Sequence, residues 1–185
     1  MTIDERQARW TIYESPIGPL TLVAGPHGLT NLSFPGRLRP PAKAVKREMP
    51  SVVDQLEAYF AGELRSFDLE LDLQGTALQK AVWQKLLDIP YGTTTSYGEL
   101  AGRIDEFVYR SDVEPYRRAR VVGAANGRNP VAIIVPCHRV IGADGSLTGY
   151  GGGLQRKQAL LDLERRSVAG EGPDPGWSIR QLAML

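Results

Sequence analysis

The sequence predicts an α/β fold for the N-terminal part of the chain and a mainly helical fold for the C-terminal part. Short apolar stretches separated by Pro- and Gly-containing turns fill residues 9–34, which is typical of a small antiparallel sheet. Apolar residues at helical spacing then dominate residues 76–166. The only cysteine of the 185 residues, Cys137, lies in the helical part, so we expect the chemistry of the protein there.

The N-terminal part, residues 1–74, is predicted to be a scaffold. Strands are expected at residues 9–14, 20–24 and 29–34, and a helix at residues 52–64. Residues 66–73 alternate between apolar and polar, mostly acidic side chains, which predicts a half-buried strand. The acidic side chains of this strand fit a solvated face better than a metal cluster. No catalytic set of residues occurs here, and the domain boundary is expected at residues 74–76.

The second part, residues 75–166, is predicted to be a domain with several helices. Residues 76–88 form one helix, which Pro90 stops, and residues 154–166 form the last one. Ser96 and Glu99 have the spacing of a capping box at the start of a short helix that ends near Ile104. Pro115 suits the first turn of a helix over residues 116–126. These two short helices suggest a helix-turn-helix. The tail, residues 167–185, carries no clear motif.

A basic stretch on the second of these helices and beyond it indicates phosphate binding. Residues 115–141 contain no acid and five arginines: Arg117, Arg118, Arg120, Arg128 and Arg139. Such a stripe can neutralise phosphates, although a solvated helix face would also explain it. The small residues Ala119 and Gly123 would let the helix approach a groove closely. Arg120 between them could fill the hole left by an extruded base.

Cys137 is the candidate nucleophile. The β-branched residues of 131–135 predict a buried strand that Pro136 ends, so the thiol would lie just past a strand end. His138 and Arg139 follow directly, and both favour a thiolate. A lone cysteine is more often a structural core residue. The flanking residues and the glycine-rich loop at residues 148–153 nevertheless favour a nucleophile.

Two further features near the end of the helical part suggest a ligand and a partner. The glycine-rich loop lacks the Lys-Ser/Thr pair of a phosphate loop, but a planar ligand could lie against its unshielded N–H groups. Glu164 falls in the last turn of its predicted helix, where the helix dipole disfavours a carboxylate. This placement suggests an interaction partner, and His138 is the obvious candidate.

The composition excludes several classes of function. A net charge of +1 gives no bulk attraction to nucleic acid, so any such signal must be local. One cysteine and two histidines leave too few ligands for a zinc site, and neither a metal nor a cofactor is expected. The chain has no signal sequence and no stretch of 18 apolar residues, and its unpaired cysteine fits a reducing compartment. We therefore expect a cytoplasmic protein without membrane contact.

Several short motifs occur together in the C-terminal part. They are Ile89-Pro90-Tyr91-Gly92 with Ser96-Tyr97, Arg120-Val121-Val122-Gly123, Asn129-Pro130, Val135-Pro136-Cys137-His138-Arg139-Val140 and Gly149-Tyr150-Gly151-Gly152-Gly153. In this order they resemble the O6-alkylguanine-DNA alkyltransferases, a family of direct-reversal DNA repair proteins. The resemblance is strong from Gly75 to Glu164. It is weaker before Gly75, where the family has a ribonuclease-H-like α/β domain.

The resemblance implies a reaction and roles for individual residues. Cys137 would take an alkyl group from O6 of a flipped-out guanine, and from O4 of thymine, once per protein molecule. His138 would act as the base through a bound water, and Glu164 would orient His138. Tyr97 would bond the N3 edge of guanine, and Asn129 would hold the turn before the cysteine. Arg120 would be the intercalating finger.

The resemblance also implies a binding surface. The base pocket would be formed by Tyr97, Val140, Tyr150, Gly151 and Gly152, with the N–H of Gly151 donating to O6. The carbonyls of Cys137 and Val140 would accept from the exocyclic amine. The DNA contacts would come from Thr95, Ser96, Arg117, Arg118, Ala119, Arg120, Gly123 and Arg128. The implied partner is double-stranded DNA containing O6-alkylguanine, bound by a monomer.

The sequence departs from the family pattern in two places. The segment Ile104–Glu114 makes the link between the two short helices longer than in the family and carries four acids against one arginine. We expect a protruding loop or an extra helical turn that alters DNA docking or lesion access. Gly151 replaces a frequent serine, so the loop is expected to accept bulkier adducts.

Two alternative functions remain. They are a non-catalytic protein that flags alkylated bases and a thiol hydrolase that uses Cys137 and His138.

Overall fold

The structure is a computed structural model, and it describes residues 7–37, 39–104 and 114–172. The N-terminal part forms a four-stranded sheet and one helix. Its elements are β1 (Arg9–Ser15), β2 (Gly18–Gly25), β3 (Gly28–Ser33), β4 (Val45–Lys46) and α1 (Pro50–Phe60). The strand order is β3-β2-β1-β4, with β1, β2 and β3 antiparallel and β4 parallel to β1. The three predicted strands and the predicted helix are confirmed, but the helix ends at Phe60 and not at Leu64.

The predicted strand over residues 66–73 is wrong in its extent. The segment is extended, and Phe67 and Leu69 are half-buried while Asp68 and Glu70 are exposed. However, only Leu29 at the start of β3 pairs with it, because its N–H donates to Glu70 O (2.8 Å) and its carbonyl accepts from Asp72 N (3.0 Å). The alternation of side chains therefore indicates an extended segment over the sheet, and one bridge does not make a strand.

The C-terminal part is helical, as the sequence predicts. Its elements are α2 (Ala77–Leu87), β5 (Thr95–Ser96), α3 (Tyr97–Gly102), α4 (Pro115–Gly127), a 3-10 helix (Cys137–Arg139), β6 (Val140–Ile141) and α5 (Leu154–Val168). β5 and β6 pair in parallel, and α4 packs on both α2 and α3. The capping box of Ser96 and Glu99 is present at the start of α3. The predicted loop or turn within Ile104–Glu114 concerns residues 105–113, which lie outside the described part of the chain, as do residues 173–185 of the predicted tail.

The predicted strand before Cys137 is a buried turn. Leu32 of β3 accepts from Ala132 N (3.0 Å), and Val135 N donates back to Val131 O (3.0 Å). Ile133 has a φ of +73°, in the left-handed region that β-branched residues rarely adopt. A run of β-branched apolar residues fits a buried turn as well as a strand, so periodicity alone could not distinguish them. The turn is fixed to the edge of the N-terminal sheet and leads directly into the cysteine.

The hydrophobic core runs without a break through both parts of the chain. It includes Leu22 and Leu56 of the N-terminal part and Trp83 and Leu160 of the C-terminal part. The indole of Trp83 in α2 donates to Ala125 O in α4 (2.9 Å), which fixes these two helices against each other. No helix in the described ranges combines the length and the apolar character that crossing a bilayer requires.

Candidate active site

Cys137 is the first residue of the 3-10 helix and lines a pocket. The pocket is bounded by the residues after β3, the C-terminal end of α4 and residues 149–152 of the glycine-rich loop. The thiol is free and only 6% exposed. Burial raises its pKa, and this effect outweighs the lowering by Asn129, Lys157 and Arg37. The thiol is therefore protonated at neutral pH and needs a base before it can act as a nucleophile.

Two asparagines at the end of α4 hold the backbone around the cysteine. Asn129 Nδ2 donates to Val135 O (2.7 Å), and Asn129 Oδ1 accepts from Val131 N (3.0 Å). One side chain thus closes both ends of the turn that precedes Cys137. Asn126 Nδ2 donates to Cys137 O (3.4 Å), while its buried Oδ1 has no partner among the described residues. The position of the thiol is therefore set from α4.

Glu164 is fully buried and is the acceptor for several donors. Oε1 accepts from His138 Nε2 (2.9 Å) and from Tyr59 Oη (2.9 Å), and Oε2 accepts from Gly92 N (2.9 Å). Arg139 donates to both oxygens, with Nη2 2.9 Å from Oε1 and Nε 2.9 Å from Oε2. Burial raises the pKa of this carboxyl, but His138 and Arg139 outweigh it and lower the pKa to about 2. Glu164 is therefore ionised at neutral pH.

His138 is buried and paired with the Glu164 carboxylate, as the sequence suggested. Burial lowers its pKa, and the carboxylate opposes this effect only in part, so the imidazole is neutral at pH 7. An ionised Glu164 accepts only, which places the proton of the neutral ring on Nε2. Nδ1 then carries a lone pair, and this buried atom makes no hydrogen bond to the described residues. The ring can therefore accept a proton at Nδ1 while the carboxylate stabilises the resulting charge.

Two expectations about this group need correction. Arg139 is not part of a surface stripe, because its guanidinium is buried against Glu164 and donates to Ile89 O (2.6 Å). Glu164 is not in the last turn of its helix, because α5 continues to Val168. The carboxylate is buried because a cation and an imidazole meet it there, and not because of any property of a helix end.

The glycine-rich loop is held by three polar side chains. Lys157 of α5 is buried and donates through Nζ to Val140 O and Thr148 O (2.6 Å each), and burial lowers its pKa to about 8. Arg156 donates to Gly152 O (2.8 Å) and to Ile17 O (2.7 Å), which lies in the turn between β1 and β2. Tyr97 Oη lies 3.3 Å from both Thr148 O and Gly149 O.

Phe34 and Arg37, which follow β3, complete the pocket from the N-terminal part. Tyr150 packs on Phe34 with ring centroids 5.8 Å apart. A Cβ at Gly151 would lie 1.1 Å from Nη1 of Arg37, whose Nη2 donates to Gly127 O (3.0 Å). The space that a serine side chain would take at Gly151 is thus filled by Arg37. Because Nη1 is the end of a flexible side chain, the acceptance of bulkier adducts at this loop stays a prediction.

The two carbonyls that are expected to accept from the exocyclic amine of guanine already have donors within the protein. Val140 O accepts from Lys157, and Cys137 O accepts from Asn126 and from the N–H of Val140. A carbonyl oxygen has two lone pairs, so Val140 O retains capacity for one more donor.

The predicted DNA-contacting residues lie on and next to α3 and α4. Arg117, Arg120 and Arg128 are exposed, whereas Arg118 and Ala119 are half-buried. A Cβ at Gly123 would lie 3.6 Å from the ring of Tyr97, so this glycine faces the tyrosine.

Ser96 and Thr95 belong to the cap of α3. Ser96 caps the helix through its hydroxyl, and Thr95 is buried and donates to Glu99 Oε2 (3.0 Å). The side chain of Thr95 is therefore not part of the surface, which corrects its assignment to the DNA contacts.

Several site residues were missed in the sequence. Lys157 had a signal, since it stands at helical spacing from Leu160 and Glu164 on the buried face of α5. Four other residues had no such sequence signal, because their place at the site depends on contacts distant in sequence: Tyr59, Phe34, Arg37 and Asn126. Among the described residues, no three His, Cys, Asp or Glu side chains are grouped closely enough to hold a metal.

The fold and the site define a cysteine-dependent protein whose thiol lies beside a pair of packed helices with exposed arginines. Two family models match the chain. The ribonuclease-like domain of 6-O-methylguanine DNA methyltransferase matches residues 8–73, and its DNA binding domain matches residues 77–166. The chain belongs to the 6-O-methylguanine DNA methyltransferase family, as the motifs predicted.

Individual relatives agree with this assignment. The methylated-DNA–protein-cysteine methyltransferase of Mycobacterium bovis is 54% identical over 156 residues, covering 82% of this chain and 89% of the relative. The protein of the same name from Methanosarcina acetivorans is 48% identical over 160 residues, covering 84% and 97%. The crystal structure of Mycobacterium tuberculosis OGT in complex with DNA superposes with a TM-score of 0.74 at 52% identity, covering 86% of this chain and 94% of that one.

Proposed function

We propose that this protein repairs DNA by moving an alkyl group from O6 of guanine, and from O4 of thymine, to its own Cys137. The observation that carries the proposal is the buried pair of His138 and Glu164. His138 directly follows Cys137, whose thiol is buried and protonated. This arrangement supplies a base next to a thiol that needs one. Family membership and the relative bound to DNA support the same reaction.

The proposed chemistry is a displacement at the alkyl carbon. His138 takes the thiol proton through a bound water, and ionised Glu164 stabilises the imidazolium that results. The sulfur forms a bond to carbon while the bond from carbon to O6 breaks, and its electron pair stays on guanine. The N–H of Gly151 and the hydroxyl of Tyr97 stabilise the charge that develops on the base. The product is a thioether, which water does not cleave under these conditions, so each molecule reacts once.

Residues around this centre have supporting roles in the proposal. Asn129 holds the turn before Cys137, and the cations of Lys157 and Arg37 make the thiolate less costly to form. The base pocket is formed by Tyr97, Val140, Tyr150, Gly151 and Gly152. The partner is double-stranded DNA with an O6-alkylguanine.

We place the DNA contacts on α4 and at the start of α3. Arg120 is the finger that enters the duplex, and the other contacts are Ser96, Arg117, Arg118, Ala119, Gly123 and Arg128.

We also propose the organisation of the chain. Residues 1–74 form the scaffold domain, residues 75–166 the DNA-binding and alkyl-transfer domain, and residues 167–185 a tail. The family matches, which end at residue 73 and begin again at residue 77, support this division. The protein would act as a monomer in the cytoplasm, where reducing conditions keep its single thiol free.

The stoichiometry of repair tests the function. Duplex DNA with one O6-methylguanine is given in excess, and the guanine produced per protein molecule is measured. We expect one equivalent and then no further reaction, with none from a Cys137→Ser variant. Binding of the lesion without conversion would instead indicate a protein that flags alkylated bases. Repeated turnover of an acyl ester would indicate a thiol hydrolase.

A further inference from the structure

Tyr59 brings the N-terminal part of the chain into direct contact with the reacting residues. It lies in α1, 105 positions before Glu164, and its side chain is completely buried. Its hydroxyl donates to Glu164 Oε1 at 2.9 Å. The ring is held by Phe60 and Phe67, each with centroids 5.4 Å away, and by Tyr91 at 6.0 Å. The hydroxyl is therefore fixed on the carboxylate.

The oxygen that Tyr59 contacts is the one that His138 uses. Oε1 accepts from Tyr59, from His138 Nε2 and from Arg139, whereas Oε2 accepts from Gly92 N and Arg139. A carboxylate oxygen offers about two lone-pair positions, so the donors on Oε1 compete. Each added donor spreads the negative charge and weakens the bond to the others. Tyr59 is thus placed to moderate the bond between Glu164 and His138.

We propose that Tyr59 is a positioning residue that fixes Oε1 of Glu164 and sets how strongly this oxygen binds the proton on His138 Nε2. Its effect on alkyl transfer rests on the function proposed above. Its effect on His138 does not, because the contact is present in the free protein. The N-terminal domain would then act on the reaction, beyond supporting the fold.

The direction of the effect follows from the groups around the carboxylate. Tyr59 faces it from α1, Tyr91 and Gly92 N from the loop after α2, and His138 and Arg139 from the 3-10 helix. Arg65 stands over the Tyr91 ring, and Lys157 acts on His138 from the helix of Glu164 itself. A Tyr59→Phe change keeps all of these and removes one donor from Oε1. Oε1 then binds the Nε2 proton more strongly, which favours the imidazolium.

The test is an NMR titration of the two histidine side chains in the full-length protein. In Tyr59→Phe, we expect the transition of His138 to move up by about half a pH unit relative to the wild type. His27, which is exposed in the turn between β2 and β3, gives the only other histidine signals in the spectrum. A His138 transition that stays in place or moves down would overturn the proposal.

A control and a second variant keep the test decisive. Tyr13→Phe removes a hydroxyl from the same part of the chain, where the ring packs on Phe60 and the hydroxyl senses Glu57. It should leave His138 unchanged. Incorporation of 3-fluorotyrosine at position 59 makes the hydroxyl a stronger donor and keeps the ring. The transition of His138 should then move down, so the proposal remains testable even if Tyr59→Phe does not fold.

Kinetics connect the effect to the reaction. The rate of a single turnover on O6-methylguanine DNA is measured against pH at saturating DNA. We expect the acid limb of the profile to move up in Tyr59→Phe by the same amount as the NMR transition. An equal loss of rate at every pH, with no shift of the limb, would show a purely structural role. If the wild type transfers no alkyl group, the proposed function fails, and the titration still decides the role of Tyr59.

Discussion

Replacing Glu164 by glutamine is expected to cost a large part of the stability of the protein. The change removes the negative charge that Arg139 meets in the core, where both side chains are almost inaccessible to water. It also puts an amide N–H₂ where one of the carboxylate oxygens accepts donors, so a donor would face the N–H of Gly92 or the groups of Tyr59 and His138. Removing one partner of a buried ion pair costs about 3–5 kcal/mol, compared with about 5–15 kcal/mol for the whole unfolding of a typical domain.

Urea unfolding at pH 7 measures this cost. The matched control is Asp162→Asn on the same helix, because Asp162 pairs with Arg165 at 2.7 Å on the surface. Arg165 is exposed and Asp162 is half-buried, so water screens this pair and its loss should cost less than about 1 kcal/mol. If Glu164→Gln cost no more than Asp162→Asn, the buried carboxylate would not have the structural role assigned to it.

Three further predictions test other parts of the site. Because the pKa of Glu164 is lowered from 4.5 to about 2, its contribution of about 3 kcal/mol should be complete above about pH 4.5 and be lost as the pH falls towards 2, which urea midpoints against pH would show. Lys157→Met should destabilise the protein by about 2 kcal/mol in urea, because the carbonyls of Val140 and Thr148 lose their donor. Arg120→Ala should slow alkyl transfer from duplex DNA by about tenfold and change the stability by less than about 0.5 kcal/mol.

Each of these has its own control. The loss of stability at low pH should be absent from Glu164→Gln. An unchanged dependence of the urea midpoint on pH in this variant would assign the loss to other carboxyl groups. The control for Lys157→Met is the same methionine at the next position of α5, where Gln158 is exposed, and Gln158→Met should leave the stability nearly unchanged. The Arg120→Ala variant should react normally with the isolated base O6-methylguanine. If the Arg120→Ala variant reacted equally slowly with the isolated base and with duplex DNA, this would contradict a role of Arg120 in DNA contact.

Local patterns in the sequence predicted the helices of the C-terminal part because local chemistry determines them. The capping box of Ser96 and Glu99 and the stop at Pro90 act within a few residues, and the ends of these helices agree to within two residues. The turn at residues 131–135 could not be predicted in the same way. Its positive φ at Ile133 depends on Leu32 of the sheet and on Asn129, and both act from outside the apolar run.

The site was predictable only where its residues belong to a recognisable motif. Cys137 and His138 are adjacent in such a motif. The pairing of Glu164 with His138 was predicted correctly, but from a position at a helix end that is wrong, because α5 continues to Val168. Tyr59 and Arg37 reach the site from the N-terminal part, and no local pattern marks them. The sequence places Arg139 in a basic stretch and does not show that the guanidinium pairs with the same buried carboxylate.

The mass of the protein after the reaction shows whether Cys137 receives the alkyl group. The protein is mixed with duplex DNA holding one O6-methylguanine, and its intact mass and the mass of the peptide containing Cys137 are measured. We expect a gain of one methyl group, located on Cys137 and saturating at one per protein molecule. A methyl group on another residue, or binding of the DNA with no gain in mass, would contradict it.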